Sequence, residues 1–221
     1  MKWLKLLVAV SLVIGLLAVA SGSATAEVFL DLYAGATFSR FQDAEAKASA
    51  GRVENTLDFK DSFILGGRIG AWGTDVGLAW FGMAVDLSYW QSDAKDSILG
   101  AKPEIEALPV TVLLMFRYPG NTIQPYAGVG GGLFLSQIKN DVDLSLVGGS
   151  GSGNFDDTQA DLGFDARAGL AVEVHKKISI FVEGRYIYFS PKYEDKVNGE
   201  KVTLSTDAEA IQALAGISFH F

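Results

Sequence analysis

The chain has 221 residues, a formal net charge of −8 and no cysteine. The lack of cysteine excludes disulfides, thiol nucleophiles, thiolate metal sites and a lipidated amino-terminal cysteine. The excess of acidic over basic residues argues against nucleic acid as a partner.

The first 26 residues have the pattern of a cleaved secretory signal peptide. Lys2 and Lys5 precede an apolar run over residues 6–20, and small residues then lead to Ala-Thr-Ala26. This order of charge, apolar core and small-residue cleavage site is typical of secretion signals. The run is shorter than the roughly 20 apolar residues of a spanning helix. We predict cleavage after Ala26, which leaves residues 27–221 as one domain with a net charge of −10.

Eight later segments alternate between apolar and polar residues with a period of two, which is the pattern of half-buried β-strands. The segments are 28–38, 62–72, 80–90, 107–118, 125–136, 161–174, 178–189 and 211–221. A tilted strand needs about 9 to 11 residues to cross a membrane, so these lengths suffice. Past the signal there is no long apolar run. A membrane location therefore requires a β-barrel.

The connections between these segments alternate between long and short. Residues 39–61, 91–106, 137–160 and 190–207 are long and polar, whereas 73–79, 119–124 and 175–177 are short. This alternation predicts an eight-stranded antiparallel up-and-down barrel with short periplasmic turns and long extracellular loops. We expect the Gly-rich and acidic loop 137–160 to be disordered and external.

The alternative fold is a soluble, lipocalin-like barrel with its apolar stripes turned inward around a ligand. Three features favour the membrane barrel instead. They are the alternation of loop lengths, an apolar stripe that runs to Phe221, and aromatic residues near strand ends. Trp72, Trp80 and Trp90 are interpreted as part of an aromatic girdle at the membrane interface.

Several segments resemble a known family. Residues 108–119 (LPVTVLLMFRYP) followed by 124–132 (QPYAGVGGG) resemble a strand, turn and strand of the eight-stranded outer-membrane barrel domain of opacity-type porins and OmpA-type proteins. Residues 181–186 (FVEGRY) are similar to its penultimate strand, and the last strand with Phe219 and Phe221 is similar to its assembly signal. The resemblance implies the outer membrane of a Gram-negative cell, with lipids, lipopolysaccharide and the assembly machinery as partners. Family members include anchors, adhesins and small channels.

Strand parity turns nine charged side chains toward the barrel interior. They are Asp31, Arg68, Asp86, Arg117, Asp165, Arg167, Glu173, Glu183 and Arg185. Eight strands leave a lumen just wide enough for side chains, and an unpaired charge inside costs several kcal/mol. We therefore predict an ion-pair network that plugs the lumen, with a structural or surface-interaction role. A narrow porin for small solutes or ions and a lumen-binding transporter or surface enzyme stay open as alternatives, as do solute binding or a proton relay by the lumen charges.

Nothing in the sequence predicts catalysis, a cofactor or a metal site. The two histidines, His175 and His220, both fall at the predicted periplasmic end and are interpreted as surface or interface residues. The glycines of residues 128–132 lie inside a strand, without the helix that a phosphate or dinucleotide site needs. The acids near residues 154–157 match no calcium-loop spacing. We predict that the chain is not an enzyme, and an external or host-surface ligand stays unspecified.

Overall fold

The fold is taken from a computed structural model that describes residues 26–48, 51–58, 61–74, 77–93, 104–118, 120, 122–143, 152–190, 192–197 and 200–221. The predicted signal peptide lies outside the described residues except for Ala26. Within these ranges, no helix has the length and apolar character needed to cross a membrane.

Ten β-strands make up most of the described part of the chain. They are β1 (Glu27–Ala48), β2 (Gly51–Asp58), β3 (Ser62–Gly73), β4 (Leu78–Asp93), β5 (Glu104–Arg117), β6 (Ile123–Asp143), β7 (Ser152–His175), β8 (Ile178–Phe189), β9 (Lys192–Val197) and β10 (Glu200–His220). All except β2 and β9 form one antiparallel barrel, which closes because β1 also pairs with β10. The short strands β2 and β9 pair with the outer parts of β1 and β10. The predicted eight-stranded barrel is confirmed.

Closure joins the first and last barrel strands over a long register. The pairing runs without interruption from Phe29 opposite His220 to Gln42 opposite Asp207. Every barrel strand therefore has a neighbour on both sides, so no edge of unpaired N–H and C=O groups is left within the barrel.

The apolar stripes face outward. Phe63 is 67% exposed, Leu162 is 81% exposed and Val182 is 58% exposed. Such an apolar belt is stable in contact with lipid tails. Lipid tails solvate apolar side chains, whereas they cannot form hydrogen bonds to polar groups. The soluble alternative, which required the stripes to face inward, is wrong.

The three short connections, between β3 and β4, β5 and β6, and β7 and β8, lie at one end of the barrel together with Glu27 and Phe221. We call this the turn end and the opposite end the distal end. The predicted strand bounds agree with the structure within three residues at the turn end, and β8 agrees at both of its ends.

At the distal end, β1, β6, β7 and β10 continue much further than predicted. Residues 40–48 pair with β2, and residues 137–143 pair with 152–158. The prediction of disorder across residues 137–160 is therefore wrong for these paired parts, while 144–151 lie outside the described residues. Backbone hydrogen bonds hold such a hairpin without an apolar face, so hydrophobic periodicity does not detect it.

The interface role predicted for two of the tryptophans is also wrong. Trp72 is 6% exposed and Trp90 is 1% exposed, and both are buried inside the barrel. Both share strand parity with the inward residues Arg68 and Asp86. Trp80 is 47% exposed and stacks on the lipid-facing ring of Phe116, with 6.1 Å between ring centroids.

Candidate functional site: the charged lumen

Seven of the nine predicted lumen charges come together in the middle of the barrel. Each is at most 4% exposed. We call this group the central cluster, and its members are Asp31, Arg68, Asp86, Asp165, Arg167, Glu183 and Arg185. One member of the cluster lies on each of β1, β3 and β4, and two lie on each of β7 and β8. All of them project inward, because side chains alternate along each strand.

The strand register places like charges side by side. Arg167 on β7 lies directly opposite Arg185 on β8. Both arginines share one carboxylate, since Asp165 Oδ2 accepts hydrogen bonds from Arg167 Nη2 at 2.6 Å and from Arg185 Nε at 2.9 Å. The carboxylate offsets the repulsion, because an ionised acid accepts several bonds at once.

Three hydrogen bonds of the cluster cross the lumen. Arg68 Nη1 on β3 donates to Glu183 Oε2 on β8 at 2.8 Å. Arg167 Nη1 on β7 donates to Asp86 Oδ2 on β4 at 2.9 Å. Arg185 Nη1 donates at 2.9 Å to Ser88 Oγ, and these two residues lie on β8 and β4, which are diametrically opposite in the barrel order. The cluster therefore links the walls of the barrel in more than one direction.

Two tyrosines complete the cluster, and sequence reasoning missed both. The cluster has four carboxylates but only three guanidinium groups, so its carboxylates need further donors. The hydroxyl of Tyr33 donates to Asp86 at 2.9 Å, and the hydroxyl of Tyr126 donates to Glu183 Oε2 at 2.9 Å. Thr111 adds a bond of 3.2 Å to Asp165.

Glycines provide the space for these tyrosine rings. Tyr33 lies opposite Gly66 in the register and Tyr126 lies opposite Gly169. A Cβ atom at either glycine would overlap the facing ring. An inward tyrosine opposite a glycine is a readable signal, but only after the strand register is known.

Arg117 and Glu173 lie near the turn end, away from the central cluster. Arg117 donates to both oxygens of Glu27, at 2.9 and 2.5 Å, and its Nε donates to Ala79 O at 2.9 Å. Its guanidinium also lies over the ring of Trp72, 4.5 Å from the centroid. Glu173 is exposed and lines a cavity at the turn end. Both residues are within a few positions of a turn, so inward parity brings them to the mouth of the barrel.

The mouth contains a second group that sequence reasoning did not identify. His220 Nδ1 is 2.9 Å from Glu27 Oε1, and His220 Nε2 is 3.2 Å from Ser179 Oγ. We call Glu27, Arg117, Ser179 and His220 the turn-end group. All four line a cavity of about 320 Å³. The sequence gives little indication of the turn-end group, because Glu27 and His220 come together only when the barrel closes.

The residues predicted as an assembly signal lie at the turn end of β10. Phe219 pairs with Leu30 on β1 and with Ile178 on β8. Phe221 is 72% exposed, and its N–H donates to Val28 O at 2.9 Å. Among the residues that the structure describes, no three His, Asp or Glu side chains are placed to hold a metal ion.

An outward apolar belt, closed strands and a charged interior define a transmembrane β-barrel of the outer-membrane class. The family model for the outer membrane protein beta-barrel domain matches residues 9–219, and the chain belongs to this family. The resemblance found in the sequence is thereby confirmed, and membership implies a location in the outer membrane.

Solved structures share this fold. The outer membrane protein OprG from Pseudomonas aeruginosa has a TM-score of 0.63 and 16% identity, covering 89% of this chain and 97% of its own. The outer membrane protease OmpT from Escherichia coli has a TM-score of 0.54 and 10% identity, covering 90% and 98%. Neisserial surface protein A has a TM-score of 0.51 and 16% identity, covering 88% and 97%. At these identities the likeness shows the fold alone. No curated protein matches the sequence.

Proposed function

We propose that the protein is a closed outer-membrane barrel with a structural or surface-interaction role, and that the central cluster plugs its lumen. The observation that carries this proposal is the set of hydrogen bonds across the lumen, such as Arg68 to Glu183 at 2.8 Å and Arg167 to Asp86 at 2.9 Å. The cluster pairs no serine or cysteine nucleophile with a base, so we infer that it is not catalytic.

Energetics favour the closed state. An open path would require several of these pairs to separate inside a narrow, poorly solvated bore. Breaking a buried pair and leaving one charge uncompensated costs about 3 to 5 kcal/mol. Eight strands also leave little room for an ion beside the arginine side chains.

The remaining parts of the proposal concern targeting and partners. We infer that a signal peptide is cleaved after Ala26, that the turn end faces the periplasm, and that Phe219 and Phe221 are recognised by the outer-membrane assembly machinery. The exposed apolar belt supports contact with membrane lipids and lipopolysaccharide. At the distal end, the strand extensions are paired with each other through backbone hydrogen bonds. We infer that they form the surface to which an external ligand binds.

A narrow porin is the second candidate, and the cavities favour it to a limited extent. The cavity of about 320 Å³ at the turn end shares Arg117, Gln124 and His220 with a smaller one of about 40 Å³. The smaller cavity reaches Asp31 and Arg68. Part of a path therefore leads from the turn end to the edge of the central cluster.

Single-channel recording from the refolded barrel in a planar bilayer tests the proposal. We expect negligible or sporadic conductance from the unmodified protein. The double variant Arg68→Ala with Glu183→Ala removes both partners of one bond across the lumen, and we expect it to raise the conductance. The control Leu170→Ala changes an exposed lipid-facing residue and should leave conductance unchanged. A steady, ion-selective open state in the unmodified protein would contradict the plug and favour the narrow porin.

A further inference from the structure

Glu27, His220 and Ser179 form a continuous hydrogen-bonded chain at the turn end. His220 Nδ1 is 2.9 Å from Glu27 Oε1, and His220 Nε2 is 3.2 Å from Ser179 Oγ. The three residues come from β1, β10 and β8, which are consecutive in the barrel order. Closure of the barrel therefore builds this arrangement from residues far apart in the sequence.

The hydrogen-bond partners fix the tautomer of His220. A carboxylate can only accept, so His220 Nδ1 must carry the proton that is donated to Glu27. In the neutral imidazole, Nε2 is then an acceptor, and the hydroxyl of Ser179 donates to it. Arg117 binds both oxygens of Glu27 and holds the carboxylate in place. The order acid, histidine, serine is that of a serine nucleophile with its base and orienting acid.

The three hydrogen-bonded residues, Glu27, His220 and Ser179, all line the cavity at the turn end. The side chain of His220 is 18% exposed and that of Glu27 is 27% exposed, whereas the side chains of the central cluster are buried. Ser179 itself is buried, at 4% exposed. Ser179 lines the same cavity of about 320 Å³, which is large enough for a small ligand. Lys176, Lys177 and Glu173 also line it, so two exposed positive charges face one exposed negative charge there. An anionic group on a ligand would be attracted to these two lysines.

We propose that Ser179 is a nucleophile, activated by His220 and positioned through Glu27, that cleaves carboxylic esters carrying an anionic group. Ser179 Oγ bonds to the ester carbonyl carbon while its proton moves to His220 Nε2. The ester C–O bond then breaks, and the alcohol leaves with the proton from His220. Water repeats the sequence at the acyl-serine, which releases the carboxylic acid and restores Ser179. This proposal departs from the sequence-based prediction that the chain is not an enzyme.

A fluorophosphonate probe tests the nucleophile directly on the full refolded barrel in detergent. We expect the probe to attach to Ser179, as located by peptide mass spectrometry, and the label to disappear in Ser179→Ala. His220→Gln should slow labelling by at least about 100-fold, the usual contribution of a general base. Ser218→Ala and His175→Gln are matched controls, because Ser218 lies opposite Ser179 in the register and His175 is the other histidine. Both controls should label at the unmodified rate.

A second measurement separates activation from a structural role of the same hydrogen bonds. Glu27→Gln keeps the shape of the acid but removes its charge, so we expect slower labelling and a changed dependence of the rate on pH. A nitrophenyl ester with a carboxylate should be hydrolysed faster than its neutral analogue. The double variant Lys176→Gln with Lys177→Gln should lose this preference.

Either of two outcomes would overturn the proposal. The folded unmodified barrel fails to label at Ser179, or it labels at the same rate after His220→Gln. Neither outcome bears on the plugged lumen, which is tested by conductance and concerns other residues.

Discussion

The centre and the turn end of the lumen use the same kinds of side chain in different surroundings. In the centre, Arg167 contacts three carboxylates with its side chain fully buried. At the turn end, Arg117 binds one carboxylate, that of Glu27, whose side chain is 27% exposed beside a cavity. The two arginines therefore differ mainly in how far water can replace a lost partner.

Burial, more than the type of pairing, therefore separates the two groups of lumen charges. A buried charge in the centre that loses its partner is poorly compensated by water, so we expect these residues to contribute strongly to stability. At the turn end, Glu27 and His220 are partly exposed, which weakens the ion pair, while Ser179 is buried but lines the cavity through which a ligand would reach it. The comparison is tested by substitutions in each region, with the free energy of unfolding as the common measure.

The largest effect is expected from Arg167→Ala. This change leaves Asp86, Asp165 and Glu183 without their shared partner inside the barrel. We expect the free energy of unfolding to fall by about 3 to 5 kcal/mol, since uncompensated buried charges remain. Urea titration of the folded barrel in detergent micelles measures the change, with Lys176→Ala in the exposed turn as the control. A loss no greater than that of the control would show that water reaches the centre.

A smaller effect is expected from Tyr126→Phe. The variant keeps the aromatic ring against Gly169 but removes the hydroxyl that donates to Glu183 at 2.9 Å. Hydrogen bonds to charged groups contribute about 1.5 to 3 kcal/mol, so we expect a loss in this range by urea titration. Tyr89→Phe changes a tyrosine that is 43% exposed and serves as the matched control. Equal losses in the two variants would show that the hydroxyl of Tyr126 does not serve the cluster.

Arg117→Ala is expected to cost less than Arg167→Ala. It removes a partly exposed ion pair with Glu27, worth about 0.2 to 1 kcal/mol, and the contact with the ring of Trp72, worth about 0.5 to 1 kcal/mol. We therefore expect a total loss of about 1 to 2 kcal/mol in the same titration. Should this variant match Arg167→Ala, the proposed difference between the two regions would be wrong.

Deletion of Phe221 should have the smallest effect on stability. The side chain is 72% exposed and belongs to neither charged group. We expect a change within about 0.5 kcal/mol in the refolded protein, but a lower yield of heat-modifiable barrel in the outer membrane of cells. Deletion that leaves this yield unchanged would argue against an assembly role for Phe221.

The period-two pattern was sufficient to predict the barrel and the inward direction of its charges. Asp31, Arg68 and Asp86 each lie at an inward position because side chains alternate along the central parts of their strands. The pattern did not reveal the distal hairpins, because polar residues beyond the lipid belt give no apolar period. Parity alone also does not show how far along the barrel axis an inward residue lies. The sequence therefore predicts that Arg117 faces inward, but it does not separate Arg117 from the residues of the central cluster.

The partners of the turn end were beyond the reach of single-strand reasoning. The contact between Glu27 and His220 joins residues 193 positions apart and depends on how β1 meets β10. A shift of register by two residues would preserve every inward and outward assignment but would move Glu27 away from His220. Such contacts follow from the closed structure and not from the alternation of residue types.

Cysteine accessibility distinguishes a sealed centre of the barrel from an accessible turn end. The chain has no cysteine, so Ser88→Cys and Ser179→Cys each introduce one thiol at nearly constant volume. Ser88 bonds to Arg185 in the central cluster, whereas Ser179 lines the cavity at the turn end. The rate of modification by a small, charged methanethiosulfonate reagent is measured for both variants in the folded barrel. Ser179 is 4% exposed and Ser88 is 1% exposed, so the cavity beside Ser179 must admit the reagent. We predict modification at position 179 and none at position 88, and equal rates at both positions would contradict the sealed centre.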